Sequence, residues 1–214
     1  ALDEIPHLLD LVITKPVASS GKNESANWSV LLAGIFYCVM LSVVAIAIYR
    51  YKPKMPPELL LASNPKLQGL GGWLILLGFG LVVAPFVRIS SLIKISTVFT
   101  VSRWNAITNA AAIGYDPTLA PVLLYELFLQ LTLIVFSFLM LFLFFRKKRI
   151  FGTALIVLLS IQFLGFALDG IITPNQKASL SNSPPPAQAA PTFIPLVAWG
   201  LYVSRSKRVK MTFI

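Results

Sequence analysis

The sequence contains few charged residues. Only 12% of its 214 residues are Asp, Glu, Lys or Arg, whereas soluble domains carry about 25%. Hydrophobic residues make up 57% of the chain and form long continuous runs. The mean hydropathy of the chain is +0.79. The pattern therefore indicates a protein dissolved in a lipid bilayer. Despite the net charge of +10, nucleic-acid binding is excluded, because the basic residues form short clusters beside apolar runs and leave no soluble region to bind a duplex.

Cysteine and histidine are equally scarce. The single cysteine, Cys38, lies inside the first apolar run, which excludes a disulfide framework. The single histidine, His7, lies in the polar N-terminal segment, far from the other candidate ligands. We therefore expect neither a metal site nor a cofactor. No internal repeat is visible, so the inverted-repeat architecture of many transporters has no support in the sequence.

Five apolar runs predict five membrane-spanning helices, since about 20 apolar residues are needed for each crossing. Their expected bounds are 28–49, about 70–88, 120–145, 150–172 and 190–203. The fifth is short and follows three successive prolines, so we expect it to begin near Pro191. Residues 89–101 are also fairly apolar but contain Lys94 and several Ser and Thr residues. They are interpreted either as an extension of the second helix or as an interfacial helix.

These runs predict an all-α integral membrane protein, in which one anchor helix is followed by a four-helix transmembrane bundle. Residues 1–27 are expected to be an extracytoplasmic juxtamembrane segment, and residues 50–66 a cytoplasmic linker rich in Pro and Lys. Residues 67–214 would form the four-helix membrane domain. The chain starts at Ala1 without Met, so we expect a processed protein or a fragment of a longer one.

The basic residues are distributed asymmetrically between the two sides of the predicted membrane. Of the 18 Lys and Arg residues, 12 lie in the connections after the first, third and fifth runs, at residues 50–66, 146–149 and 205–210. Because Lys and Arg are enriched in cytoplasmic loops, we expect an external N-terminus and a cytoplasmic C-terminus.

Five polar side chains interrupt the predicted spans near one membrane surface. Arg88 ends the second span, Glu126 lies two turns into the third, and Asp169 lies three residues before the end of the fourth. Gln130 shares a helix face with Glu126, and Gln162 shares one with Asp169. A carboxylate facing lipid costs about 2.5–3.5 kcal/mol, so these residues should face the bundle interior. They would form either a small polar ligand pocket or hydrogen-bonded contacts between helices.

Small residues in the second span predict close helix packing. Gly69, Gly71 and Gly72 precede or open the span, and Gly80 and Ala84 are four residues apart. Because small residues let helix backbones approach closely in a membrane, we expect all five to be packing positions.

The C-terminal tail is basic. Arg205, Lys207, Arg208 and Lys210 lie within a short segment after the fifth run. We expect them to fix the topology and to contact anionic lipid head groups, or to bind a cytoplasmic protein partner.

Several of these segments resemble one known family. The resemblance rests on the opening GLGGWLILLGFGL at residues 69–81 and on the tail WGLYVSRSKRVKMTF at residues 199–213. Between them the matching residues are Trp104, Pro121, Glu126, Phe151 and Asp169. In these features the chain resembles the bacterial membrane family catalogued as domain of unknown function 2569. The resemblance covers roughly residues 67–214. It implies a four-helix domain in a bacterial cytoplasmic (inner) membrane, without an established activity. In some relatives such a domain follows an extracytoplasmic enzymatic region.

The sequence contains no catalytic constellation, so we expect no enzyme activity in this chain. The favoured function is a non-enzymatic multi-pass module that anchors, positions or regulates an extracytoplasmic region or partner. That partner would be a separate protein or a fused extracytoplasmic domain. The alternative is a transporter-like or small-ligand-binding membrane protein that uses the polar cluster.

Overall fold

The computed structural model describes residues 25–51, 71–111, 115–172 and 185–213. Most of the predicted N-terminal segment and nearly all of the predicted linker 50–66 lie outside the described residues, as does Gly69. The described chain is α-helical and contains one isolated antiparallel β-bridge. The predicted all-α membrane fold is confirmed.

Seven α-helices follow one another along the described chain. They are α1 (Trp28–Arg50), α2 (Trp73–Ser96), α3 (Val101–Thr108), α4 (Leu119–Phe145), α5 (Phe151–Ile172), α6 (Pro185–Arg205) and α7 (Lys207–Thr212).

Four of these helices, α1, α2, α4 and α5, are long and apolar enough to cross a membrane. Their outward faces are apolar: Phe36 is 68% exposed, Phe79 68% and Ile171 73%. Soluble monomers rarely expose apolar surface on this scale, whereas lipid solvates it well. The helices therefore contact the bilayer directly.

The segment after Arg88 extends the second helix, which is one of the two interpretations that the sequence left open. Helix α2 continues without interruption to Ser96, and a 3₁₀ turn at Thr97–Phe99 follows it. Thr100 then adopts an extended conformation, with φ −77° and ψ 152°, before α3 begins. The side chain of Ser96 donates to the carbonyl of Ile93 at 2.7 Å, a local hydrogen bond of the kind that competes with helix continuation.

Helix α6 begins at Pro185, earlier than the start near Pro191 that the sequence predicted. Proline is compatible with the first turn of a helix because the amide hydrogens there have no partner within the helix. The apolar part of α6 is confined to Phe193–Arg205, and this part alone produced the sequence signal. The crossing of the membrane by α6 remains a prediction.

Helix α4 is the centre of the bundle. Helices α1, α2 and α5 all pack against it, and α6 packs against α5. Helix α1 is joined to α4 by a hydrogen bond of 2.9 Å between the hydroxyls of Tyr37 and Thr132. The rings of Tyr37 and Phe128 also meet edge to face, with centroids 4.8 Å apart. Thus α1 is packed along the bundle over part of its length.

The two ends of the bundle differ in charge, and we name them accordingly. Within the described residues the carboxylate side chains are Asp116, Glu126 and Asp169. They lie, together with Arg88 and Arg103, at the end where α4 begins and α5 ends, which we call the acidic end. Residues 146–149 and Arg205 lie at the opposite, basic end, where α4 and α6 end and α5 begins.

A tight turn at the basic end joins α4 to α5. Lys147 adopts a left-handed conformation with φ 49°. The amide of Lys148 donates to the carbonyl of Leu143 at 2.9 Å, and that of Lys147 donates to Phe144 at 3.0 Å. This is the Schellman arrangement, in which the left-handed position is usually occupied by glycine.

Candidate functional site

A cavity of about 150 Å³ lies between α2, α4 and α5 near the acidic end. Its lining includes two carboxylates, Glu126 and Asp169, together with Gln130 and Ser91; the remaining lining residues are Ile95, Leu129 and Phe166. The Asp169 side chain is only 6% exposed, and Glu126 is half-buried. Both predicted acidic residues therefore face the bundle interior and share one cavity.

Arg88 connects the helices that surround the cavity. Its guanidinium Nη2 donates to Oε1 of Gln162 on α5 at 2.5 Å. Its backbone carbonyl accepts a hydrogen bond from Nε2 of Gln130 on α4 at 2.9 Å. Its Nε atom is buried and has no hydrogen-bond partner within the described residues. Arg88 and Gln162 thus lie beside the cavity, and Gln130 connects them to it.

The five polar residues selected from the sequence are therefore neighbours in space. They form two sets: Glu126, Gln130 and Asp169 line the cavity, while Arg88 and Gln162 join α2 to α5 next to it. The arrangement contains a small cavity and hydrogen bonds between helices; whether the cavity binds a ligand stays a prediction.

Tyr125 fixes α4 to α5 beside the carboxylates. Its hydroxyl donates to the backbone carbonyl of Gly165 at 3.0 Å. Gly165 is buried, and a Cβ atom there would lie 2.7 Å from a methyl group of Leu129, so any other residue at this position would force Leu129 to move. Tyr125 was not among the residues selected from the sequence, although its position next to Glu126 is the signal that would have identified it.

Ser91 lines the cavity but was likewise not selected from the sequence. It lies in the segment that was left open between a helix extension and an interfacial helix. Once α2 is extended to Ser96, Ser91 falls one turn beyond Arg88 on a neighbouring face. Its hydroxyl donates to the carbonyl of Val87 at 3.1 Å, so Ser91 presents an acceptor oxygen to the cavity.

The cavity suits a small polar species. Its volume would hold roughly five water molecules, at about 30 Å³ each. Two carboxylates make its lining acidic, while Leu129 and Phe166 supply apolar walls. Among the described residues, no group of three or more His, Cys, Asp or Glu side chains could hold a metal ion. A small organic or alkali cation fits this chemistry better than a tightly held transition metal.

The residues that lead into α1 are paired with the connection between α2 and α3. Ala26 and Thr100 form an antiparallel bridge. The amide of Asn27 donates to the carbonyl of Phe99, and the amide of Val101 donates to the carbonyl of Ser25, each at 3.0 Å. Phe99 is 8% exposed and belongs to a buried cluster with Leu127 and Leu131 of α4. The entrance to α1 is therefore fixed to the acidic end of the bundle.

The glycine positions in α2 differ from the prediction. A Cβ atom added to Gly80 would meet no other atom within 4 Å, so its prediction as a packing position is wrong for contacts among the described residues. The close contact is made by Gly78, where a Cβ would lie 2.9 Å from the ring of Phe144. Gly78 and Gly80 differ because an α-helix turns by about 100° per residue. Two residues therefore correspond to about 200°, which places Gly80 on the face opposite Gly78. Ala84 is half-buried.

Gly71 and Gly72 pack against the C-terminal tail. A Cβ on Gly71 would lie 2.8 Å from Nη1 of Arg208, and Gly72 has a left-handed φ of 60°. Glycine is the residue best suited to such a conformation. These two positions therefore permit a close turn beneath the tail.

The basic tail is folded onto the bundle. Helix α7 buries Val209 and Thr212, and Phe213 is 3% exposed. The ring of Phe213 stacks on that of Phe151 at a centroid distance of 4.5 Å and an interplanar angle of 18°. Arg205 remains exposed, whereas the side chains of Lys207 and Lys210 lie outside the described part. Contact of the tail with anionic lipid remains a prediction.

One family model matches residues 67–214 of the chain, and its description reads Protein of unknown function (DUF2569). The match covers the helices from α2 to α7. No curated protein matches the chain, and no solved structure matches it.

Proposed function

This chain belongs to the family Protein of unknown function (DUF2569), and we propose that it is a non-enzymatic membrane module that positions an extracytoplasmic region. In this proposal the acidic end faces the exterior. The bundle holds the polypeptide that precedes α1 at a fixed place on the membrane surface, and so anchors or regulates the region or partner attached there.

The paired segment before α1 is the observation that carries this proposal. A single helix would be enough to tether an external region, and it would leave that region free to turn. Here two hydrogen bonds of 3.0 Å join the residues on either side of Ala26 to those on either side of Thr100. Each is worth about 1 kcal/mol net, and the buried Phe99 side chain adds packing. The chain entering α1 is therefore restrained in orientation as well as in depth.

One of the two hydrogen bonds can be deleted without disturbing the adjoining helix. Val101 is the first residue of α3, and proline is well tolerated at that position. Thr100 already has the extended conformation that a residue before proline prefers. The Val101→Pro variant thus removes the amide that donates to Ser25, and Val101→Ala is the matched control that keeps the amide.

The test measures the mobility of a nitroxide spin label on a Ser25→Cys variant in a Cys38→Ala background. We expect a restricted spectrum in the parent and in Val101→Ala, and a clearly more mobile one in Val101→Pro. Equal mobility in all three proteins would contradict the proposed restraint.

A second function is favoured by the acidic cavity: binding of a small cation such as a primary ammonium ion. Two carboxylates in a space of about 150 Å³ with apolar walls outnumber the guanidinium of Arg88, which lies beside it. The excess negative charge would attract a cation, because charges interact more strongly where water is scarce. This site would serve as a ligand-binding site of the module or as part of a transport path.

Cysteine labelling tests whether the cavity is open to water. A Gln130→Cys variant in the Cys38→Ala background should react with a small charged thiol reagent, and methylammonium should slow the reaction. Ser137→Cys is the matched control, since Ser137 lies on the same helix, is 3% exposed and does not line the cavity. A Gln130→Cys variant as unreactive as the control would rule out a water-filled binding site.

A further inference from the structure

A groove of about 490 Å³ lies between α1 and α4 on the side of the bundle that faces the membrane. The two helices touch near the acidic end, where Tyr37 bonds to Thr132 and a Cβ atom added to Gly34 would lie 3.5 Å from a methyl group of Leu131. Toward the basic end Ala45 of α1 remains buried in the main core, and the groove lies along the α1–α4 contact there. Its walls include Ala45 and Tyr49 of α1 and Phe138 and Phe142 of α4.

The groove has the dimensions of one bilayer leaflet. On α4 its lining runs from Val135 to Arg146, a distance of about 16 Å at 1.5 Å per residue. The hydrocarbon core of a bilayer is about 30 Å thick, so a single leaflet contributes about half of this. The volume also falls within the range of about 300–1,000 Å³ that is typical of ligand pockets.

The chemistry of the groove changes along its length. Its inner part is apolar apart from Ser42, whose hydroxyl is already bonded to the carbonyl of Cys38 at 2.7 Å. Its outer mouth carries the exposed guanidinium of Arg146. Nearby, the ammonium of Lys148 lies 4.9 Å from the centre of the Tyr49 ring, and Arg50 at the end of α1 is exposed.

Negative charge is absent from this mouth within the described residues. The three described carboxylates, on Asp116, Glu126 and Asp169, all belong to the opposite end of the bundle. A long apolar slot that begins at the membrane surface beneath several cations complements a molecule with an acyl chain and an anionic head group.

We propose that this groove is a binding site for an anionic glycerophospholipid from the leaflet at the basic end. One acyl chain lies between α1 and α4, against Phe138 and Phe142, and the head-group phosphate is bound by Arg146 with help from Arg50. The lipid fills the groove between the two helices, and so supports the packing of α1 on the bundle.

The test reconstitutes the full chain in mixed phosphatidylglycerol and phosphatidylcholine, extracts it gently and counts the retained lipids by native mass spectrometry. We expect one phosphatidylglycerol to be retained in preference to phosphatidylcholine. Arg146→Gln should weaken this retention about fivefold, the effect of one cation near an anionic surface. The matched control is Arg205→Gln, an exposed arginine at the same end that does not line the groove, and it should leave retention unchanged.

A second pair of variants tests the apolar part of the groove. Ser42→Phe places a ring inside it and should abolish retention, whereas Val43→Phe changes the adjacent residue, which is 59% exposed to lipid, and should not. A photoreactive residue in place of Phe142 should become cross-linked to phospholipid. The proposal would be overturned if the two lipids were retained equally or if the Arg146 and Arg205 variants lost lipid equally. Cross-links from position 142 to another segment of the chain or to a second copy would also overturn it.

Discussion

Replacing Phe213 by alanine should detach the C-terminal tail from the bundle. Phe213 is 3% exposed, and its ring is stacked on Phe151 with centroids 4.5 Å apart. It also lies 5.7 Å from the ring of Phe144. The remaining buried residues of the tail, Val209 and Thr212, are smaller. Phe213 is therefore the main apolar contact that holds α7 in place.

The size of the effect follows from these contacts. Truncating a buried phenylalanine to alanine costs about 3–5 kcal/mol, of which each aromatic pair contributes about 0.5–1.5 kcal/mol. Taking the lower limit of about 3 kcal/mol, and a factor of ten for every 1.4 kcal/mol, the population of molecules with a detached tail should rise roughly a hundredfold.

Limited proteolysis measures this population, because trypsin cleaves a segment only when it leaves its folded site. The tail contains Lys207, Arg208 and Lys210, and loss of an epitope fused after Ile214 would report cleavage. We expect rapid loss in Phe213→Ala and slow loss in the parent protein. Phe86→Ala is the control, since Phe86 is 64% exposed on the lipid-facing surface. Equal cleavage in Phe213→Ala and the parent would refute the packed tail.

Three further predictions test other parts of the fold. Lys147→Gly should raise the unfolding temperature, because glycine relieves a left-handed conformation that costs other residues about 1–2 kcal/mol. Gly78→Ala should lower the free energy of unfolding by about 1–3 kcal/mol, because the added methyl overpacks against the buried ring of Phe144. Gly80→Ala should not, since its added methyl meets nothing within the described chain. Thermal unfolding in detergent distinguishes the two variants. In the double variant Glu126→Gln and Asp169→Asn, methylammonium should no longer slow thiol labelling of Gln130→Cys. The mobility of the nitroxide on Ser25→Cys should stay unchanged. The two readouts therefore separate the two proposed functions.

The membrane fold could be predicted from the sequence because its signal is local. A run of about 20 apolar residues identifies a membrane helix without any knowledge of its neighbours, and α1, α2, α4 and α5 all carry such runs. The start of α6 could not be read in this way, since its first turns are rich in proline and alanine. Those residues can adopt a helix, but they do not produce a hydropathy signal.

The polar cluster could be selected because an ionisable side chain within an apolar run stands out. Helical periodicity then related Gln130 to Glu126 and Gln162 to Asp169. The partners of Arg88 could not be foreseen, since they depend on the rotation of three helices about their own axes. In the structure its guanidinium binds Gln162 and its carbonyl binds Gln130, contacts that no spacing rule encodes.

Rotation also explains the error at Gly80. The sequence shows that small residues occur in α2, but not which face of the helix meets α4. The large residues determine this face, since Leu74, Leu77 and Leu81 are all buried. Gly78 lies on the same side of α2 and therefore faces α4. A glycine in a membrane helix is therefore a packing candidate only when it shares a face with buried large side chains.

The two ends of the bundle differ in how closely they are packed, and this bears on where the protein can change shape. At the basic end the rings of Phe144, Phe151 and Phe213 are in mutual contact, and closely packed cores have few alternative arrangements. At the acidic end a smaller buried cluster of Phe99, Leu127 and Leu131 lies beside a cavity, and hydrogen bonds such as that between Arg88 and Gln162 supply part of the contact between helices. We therefore expect amide hydrogen exchange to be faster at the acidic end of α4 than at its basic end. The acidic cavity and the segment before α1 both lie at this end. It is therefore the part of the bundle that is best able to respond to a bound cation or to an attached partner.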